Sequence, residues 1–164
     1  MTPMNFYIRP ASPLDQQFLW EMLYQSLYVP AGEVLPRNVV TLPEIAKYVK
    51  EWGHQGDLGF IAIDLNHNIP IGAAWLRLFT KDDQGYGYVD DQTPKLGFAV
   101  LPEYRGRGVG TVLTHLLQKA STQYKSVSLS VSPDNPALRL YERMEFQQLD
   151  VNDTTVTMLK SLRP

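Results

Sequence analysis

The amino-acid sequence predicts an α/β domain of the α+β kind, running over residues 1–164, in which strands alternate with about four helices. Two observations carry this expectation. Short apolar segments with a period of two are interspersed with longer ones of helical period, in the order β-α-α-β-β-β-α-β-α-β-β. No composition break, linker, internal repeat or low-complexity tract divides the chain, so a single domain is expected.

The first strand is expected over Asn5 to Pro10, where Phe6 and Ile8 alternate with Tyr7 and Arg9. Ser12-Pro13-Leu14-Asp15 has the chemistry of a helix start: a capping serine, a proline in the first turn and a carboxylate three residues on. Leu14, Phe18, Leu19, Met22 and Leu23 then form one apolar stripe. Tyr28 to Val40, punctuated by Pro30, Gly32 and Pro36, is expected to be a loop. Thr41 and Glu44 suggest a second capping box, followed by Ile45, Tyr48, Val49 and Trp52 at helical spacing and Gly53 as terminator.

Leu58 to Asp64 and Ile69 to Phe79 are expected to form a hairpin across Asn66-His67-Asn68. Thr80 to Pro94 is polar and irregular. Lys95 to Val100 is a short strand. The helix after it carries Val109, Val112, Leu113, Leu116, Leu117 and Ala120 on one face. Ser126 to Val131 alternates valine and leucine with serine, as a half-buried strand does. Asp134 or Asn135 caps a short helix bearing Ala137, Leu140, Tyr141 and Met144, and 146–151 with 154–159 closes the chain as a hairpin.

The chain of 164 residues is long enough to bury roughly two-thirds of its unfolded surface. A formal net charge of −2 argues against a broad basic face for nucleic acid. The absence of cysteine excludes disulfides, thiolate metal sites and a cysteine nucleophile. Met1-Thr2-Pro3-Met4-Asn5-Phe6 does not read as a secretory signal, and no apolar run approaches the ~18 residues of a spanning helix. A cytoplasmic protein with no membrane partner is the expectation.

The most informative segment is Leu96-Gly97-Phe98-Ala99-Val100-Leu101-Pro102-Glu103-Tyr104-Arg105-Gly106-Arg107-Gly108-Val109-Gly110. A strand enters an arginine- and glycine-rich turn that opens into a helix. Bare N–H groups at a helix start, under the positive end of its dipole, suit a phosphate-bearing ligand. The spacing is neither the dinucleotide fingerprint nor the P-loop. What remains is Arg105, Gly108 and Gly110 in an Arg-x-x-Gly-x-Gly register. This segment resembles the acetyl-CoA motif of the GNAT superfamily of N-acetyltransferases. Asn135, Ala137, Leu140, Tyr141 and Phe146 resemble that superfamily's second motif, with Glu145 where glycine usually ends the helix and Asp134 an alternative to Asn135.

The element order also matches the family across nearly the whole chain. The resemblance implies a mixed, mostly antiparallel sheet flanked by helices, whose two central parallel strands splay apart to admit the cofactor. It implies direct transfer of acetyl from acetyl-CoA to a primary amine, on a small molecule or a peptide N-terminus, without a covalent enzyme intermediate. Amides from Arg107 to Thr111 would hold the pyrophosphate, with Arg105 and Arg107 adding charge. The edge of Phe98, Ala99 and Val100 would pair with the pantetheine amides. The implied cofactor segment continues through Leu101, Pro102, Gly106, Gly108, Val109, Gly110, Thr111, Val112 and Leu113, with Asn135 supporting the arm. The Val100 N–H would polarise the thioester carbonyl, and Tyr141 would protonate the departing thiolate.

The residues name no general base. Relatives often place a glutamate on the strand before the glycine turn; this strand offers Lys95 and no carboxylate. Asp90, Asp91 and Glu103 lie nearby in sequence, and a water chain ending on Asp90 or a tyrosine is one route. Glu33, Trp75, Tyr86, Tyr88 and Asp90 are the candidate acceptor residues, because aromatic and acidic groups together hold an ammonium. Trp75 reads equally as core. His54, His67 and His115 read as structural or solvated, and no metal is expected. A larger acyl-CoA, such as succinyl or propionyl, a catalytically silent CoA-binding module, and a homodimer are the further possibilities weighed.

Overall fold

The computed structural model describes residues 5–86 and 88–162. The expectations resting on Met1–Met4, and on Gly87 of the tyrosine loop, lie outside these residues. Strands β1 (Phe6–Pro10), β2 (Leu58–Asp64), β3 (Ile69–Arg77), β4 (Lys95–Val100), β5 (Ser126–Val131), β6 (Gln147–Val151) and β7 (Val156–Ser161) form one sheet. Their order is β1-β2-β3-β4-β5-β7-β6. Every pairing is antiparallel except that of β4 with β5. The helices are α1 (Gln16–Ser26), α2 (Pro43–Ala46), α3 (Thr111–Ala120) and α4 (Ala137–Arg143), with single 3-10 turns at Pro13–Asp15, Arg37–Thr41 and Pro102–Tyr104.

Both faces of the sheet are covered, which is why β2 and β3 read as continuous apolar runs rather than alternating ones. Phe60, Ala62, Ala74 and Leu76 pack with α3 through Val112, Leu113 and Leu116. Ile61, Ile63, Ala73 and Trp75 pack with Leu19, Met22 and Leu23 of α1 and with Val49 and Trp52. A fully buried side chain of this size contributes roughly 1.5–3 kcal/mol, so these two clusters dominate the fold.

The Ser12 capping box forms: Ser12 Oγ accepts from the Leu14 N–H at 3.2 Å, and Asp15 accepts from the Ser12 N–H at 2.8 Å. Asp15 also receives two bonds from Arg9, at 2.7 and 2.9 Å. The Arg9 guanidinium and the Ser12 N–H hold its carboxyl below the usual range. The expected stripe is nevertheless wrong at its first member, since Leu14 is 96% exposed. Asp15 turns inward within a 3-10 turn, whose ~120° step per residue swings Leu14 away from the α1 face.

The Thr41–Glu44 capping box does not form. Leu42 precedes Pro43 and is held extended, with φ −63° and ψ 130°, so it cannot serve as the first helical residue. Thr41 donates instead to the Asn38 carbonyl at 2.6 Å. The expected helix is shortened to Pro43–Ala46 and continues as turns. Arg77 shapes those turns by donating to the Lys47 and Lys50 carbonyls at 2.9 and 2.6 Å, and its Nε and Nη2 reach Asp57 at 3.1 and 2.8 Å. The loop before α2 contains the 3-10 turn Arg37–Thr41, and β3 stops at Arg77, short of the expected Phe79.

At the end of α4, Glu145 stands at φ +72°, the left-handed region that glycine adopts without a Cβ penalty. Its 3.8 Å contact with Lys160 is largely solvated, at 86% side-chain exposure for Glu145, and adds little. Glu145→Gly is expected to stabilise the protein by about 0.5–1 kcal/mol, net of glycine's unfolded-state entropy, raising Tm by about 1–4 °C. Calorimetric melting checks this, and a lowered Tm would contradict the strain at this residue.

Candidate active site

The parallel strands β4 and β5 meet through a single pair, Lys95 opposite Ser128. There the Ser128 N–H donates to the Pro94 carbonyl at 3.1 Å. Beyond this rung the strands part. Leu101 donates to Ile71 across the β3–β4 ladder at 2.8 Å. Main-chain groups alternate sides along a strand, so Gly97 and Ala99 also bond β3 while Phe98 and Val100 turn their N–H groups toward the opening. The Val100 carbonyl accepts from Arg105 Nε at 3.1 Å. The Phe98 and Val100 N–H groups bond no acceptor among the described residues.

The glycine turn follows. Gly106 at φ +73° and Gly108 at φ +86° alternate with Arg107 and Val109, whose φ values are not positive. Such alternation aims successive amides into one concavity, a nest for an anion. Residues 105–110 form a hydrogen-bonded turn, but among the described residues the N–H groups of Gly106, Arg107, Gly108, Val109 and Gly110 make no hydrogen bond of good geometry to a protein acceptor. The Thr111 N–H, expected to join them, donates to the Gly108 carbonyl at 3.3 Å, and Thr111 Oγ1 reaches the same carbonyl at 3.1 Å. Val112 and Leu113 are wholly buried against the sheet, and with Leu101, Pro102, Arg107 and Thr111 they stand outside the cleft lining. Arg105 lines the cleft but is committed to the fold, through Val100 and through Gln25 of α1 at 3.3 Å. Arg107 lies over the Tyr104 ring at 5.5 Å.

The opposite wall is the start of α4. Asn135 Oδ1 accepts from the Ala137 N–H at 2.9 Å, so of the two expected capping residues Asn135 is the one that bonds the start of α4, although Pro136 stands at the N-cap position itself. Tyr141 is 8% exposed and packs edge-on to Phe146 at 5.8 Å. Burial pushes its phenol well above the ordinary value, so it is a neutral proton donor. Phe98, Ala99, Val100, Gly106, Gly108, Val109, Gly110, Asn135 and Tyr141 all line one cleft.

On the α1 side of the sheet that cleft joins a second cavity of about 370 Å³, within the range for small-molecule sites. Phe98, Asn135 and Tyr141 belong to both walls. Trp75 and Tyr86, two of the candidate acceptor residues, line this cavity, and Trp75 is also core at 1% exposure. Glu33, Tyr88 and Asp90 do not line it. Glu33 is exposed beside Pro30, Asp90 accepts from the Gln92 N–H at 2.8 Å, and Tyr88 is hydrogen-bonded to Asp91, which pushes its phenol up to about 12.

Two wall residues were named in sequence without a role or missed. Tyr48 closes the cavity, receiving the Tyr86 N–H at 2.5 Å on its hydroxyl. Lys95 is 1% exposed at its base. A lysine interrupting an apolar strand was the available signal for the second. His115 packs edge-on to Phe60, with ring centroids 4.7 Å apart, and His67 bonds Asp64 at 2.8 Å. No group of three potential metal ligands occurs among the described residues, and no described helix is long and apolar enough to cross a membrane.

A sheet opened at a parallel pair, with an anion nest at the mouth of the opening, is the architecture of an acyl-CoA-dependent acetyltransferase. Residues 20–146 match the profile of the acetyltransferase (GNAT) family, and the chain belongs to that family. An N-acetyltransferase from Staphylococcus aureus Mu50 shares the fold at TM-score 0.69 and 17% identity, over 97% of this chain and 99% of that one. The ribosomal-protein-S18-alanine N-acetyltransferase from Escherichia coli gives 0.67 and 16%, over 98% and 96%. The dodecameric spermidine N-acetyltransferase from Vibrio cholerae gives 0.61 and 18%, over 96% and 94%. No curated protein sequence matches the chain.

Gly97 decides how the cavity wall packs at Trp75, because a Cβ there would fall 2.3 Å from the Trp75 ring. Gly97→Ala is expected to destabilise by about 1–3 kcal/mol and to displace Trp75. Melting together with a changed tryptophan emission spectrum reports it; an unchanged Tm would show that the wall yields freely.

Proposed function

We propose that the protein transfers acetyl directly from acetyl-CoA to a primary amine on a small molecule or a peptide N-terminus. One observation carries the reading: the free amides of the glycine turn and the free N–H groups of β4 face the same cleft. The nest suits a diphosphate, and the Phe98–Val100 edge suits an extended arm carrying amides. Acetyl-CoA supplies the activated acetyl group. The Val100 N–H draws charge onto the thioester oxygen as the amine attacks. Tyr141, neutral and at the junction of cleft and cavity, gives its proton to the departing sulfur. Asn135 steadies the arm from the opposite wall. Use of acetyl-CoA fits a cytoplasmic protein.

The cavity favours an amine with an apolar or aromatic body. Its walls carry Leu23, Tyr28, Val39, Ile45, Tyr48 and Trp75, and no Asp or Glu lines it among the described residues. A polyamine such as the acceptor named for the Vibrio cholerae enzyme would bring several ammonium groups to a wall with no counter-charge. The same lack of a carboxylate favours one other reading, a silent module that binds CoA without turnover.

Acetyl-CoA is expected to raise Tm, since ligand at a hundred times Kd adds about 2.7 kcal/mol to the folded state. No shift at saturation would remove the nest from the argument. Tyr141→Phe is expected to lower kcat about a hundredfold or more, with Kd for acetyl-CoA nearly unchanged. Thiol release and titration calorimetry separate the two quantities. A Tm shift without thiol release from any amine would favour the silent module.

A further inference from the structure

Lys95 begins β4 at the apex of the opening, where it forms the single parallel rung with Ser128. Its side chain is 1% exposed, and Nζ donates to Ser128 Oγ at 3.1 Å. An ammonium has three protons to place. Lys95 has this one acceptor and no carboxylate partner among the described residues. A cation held in this way is underserved, whereas a neutral amine beside one hydroxyl is well matched and keeps a lone pair. That amine faces the acceptor cavity. Lys95, Gly97 and Ala99 lie on the α1 face of β4, and Ser130 of β5 and Ser132 just beyond it line the cavity together with Asn135 and Tyr141.

We propose that the neutral side-chain amine of Lys95 is the general base of this site, taking the proton from the ammonium group of the acceptor. The proposal rests on the acetyl-transfer reading above. Lys95 removes one proton, and the freed amine forms its C–N bond to the acetyl carbon. The C–S bond then breaks as Tyr141 protonates the sulfur. The second nitrogen proton returns to the Tyr141 oxygen, and Lys95 sheds its own to solvent. One proton is released overall, and no other reactant is needed.

The surroundings support a titration in the working range. Burial pushes Lys95 down to about 7. The titratable groups sharing its cavity are the phenols of Tyr28, Tyr48, Tyr86 and Tyr141. From β5 it meets the Ser128 hydroxyl. Its cross-strand neighbour on β3, Arg77, is paired with Asp57 at 2.8 Å. Linkage gives a second consequence. The unfolded chain keeps the lysine proton up to its ordinary value near 10.5, while the folded chain releases it near 7, so this residue makes stability rise with pH between the two.

The test compares the parent protein with Lys95→Met, a close apolar isostere. Acceptors are 2-phenylethylamine, protonated at neutral pH, and O-benzylhydroxylamine, which is not. With the first, parent kcat/KM is expected to rise with pH and level off above about 7, and Lys95→Met to lose about a hundredfold or more in rate at neutral pH and to keep rising without that break toward the amine's own pKa of about 10. With the second, the loss is expected to shrink below about tenfold, because no proton must be removed before attack. Equal losses on both amines would reduce Lys95 to a structural role, and an unaltered rate and pH profile would overturn the proposal.

A readout independent of turnover is the 13C resonance of the lysine ε-carbons. One resonance, missing in Lys95→Met, is expected to titrate near neutral pH, and a Lys95 amine still protonated at pH 9 overturns the proposal. Absence of thiol release by the parent with either amine counts against acetyl transfer. The resonance and the flattened pH dependence of Tm in Lys95→Met then still decide the ionisation on which the proposal depends.

Discussion

The structure turns on a parallel pair that closes at one end only. β4 and β5 share the rung at Lys95 and Ser128, and each is otherwise held from its far side, β4 by β3 and β5 by β7. A fully zipped pair would have consumed the Phe98 and Val100 amides and left no opening. Separation after one rung leaves these donors in a concave, partly buried place, where an unsatisfied polar group costs about 1–3 kcal/mol until a ligand meets it. The free amides of the glycine turn extend the same deficit to the mouth of the cleft. Binding an arm with alternating carbonyls and a diphosphate is the arrangement that removes it.

The opening needs supports, and the arginine of the turn supplies one. Arg105 was read as charge for a phosphate; besides lining the cleft it ties the Val100 carbonyl to Gln25 of α1. That contact spans the turn, the strand end and the helix bordering the acceptor cavity. Around α1, Tyr24 donates to the Leu35 carbonyl at 2.6 Å and Arg37 meets Glu21 at 2.6 Å. The covering loop is thus moored to the helix. Beside the arginine charge stand main-chain dipoles, whose direction is set by the positive φ of Gly106 and Gly108.

What the sequence disclosed follows from the range of each interaction. The strand, glycine turn and helix were legible because φ requirements and helix starts are local properties. The splay was legible only through the family resemblance. The second capping box failed through a competing local rule, the effect of Pro43 on Leu42. Leu14 failed because the Arg9–Asp15 pair, set by the neighbouring strand, governs the turn that contains it. Arg77 and Asp57, twenty residues apart, and the separation of cavity residues Trp75 and Tyr86 from Glu33, Tyr88 and Asp90 depend on tertiary packing, which no window of sequence encodes.

The two faces of the sheet divide the chemistry, and this sets the limits on an acceptor. The α3 side is sealed hydrocarbon beneath the glycine turn, so on the proposed function a diphosphate and its arm would lie along the seam. The α1 side carries the cavity, whose polar groups are Lys95 at the apex, Ser130 and Ser132, Tyr141 with Asn135 at the junction, and Ser26, Thr154, Thr155 and the phenols of Tyr28, Tyr48 and Tyr86 elsewhere on the wall. The rest of that wall is aliphatic or aromatic apart from Gly97. On the proposed function, an acceptor would be aligned chiefly by its apolar body. Such a wall discriminates weakly among hydrophobic groups of similar size, about 1–3 kcal/mol per methylene, and more strongly against a second charge that it cannot pair.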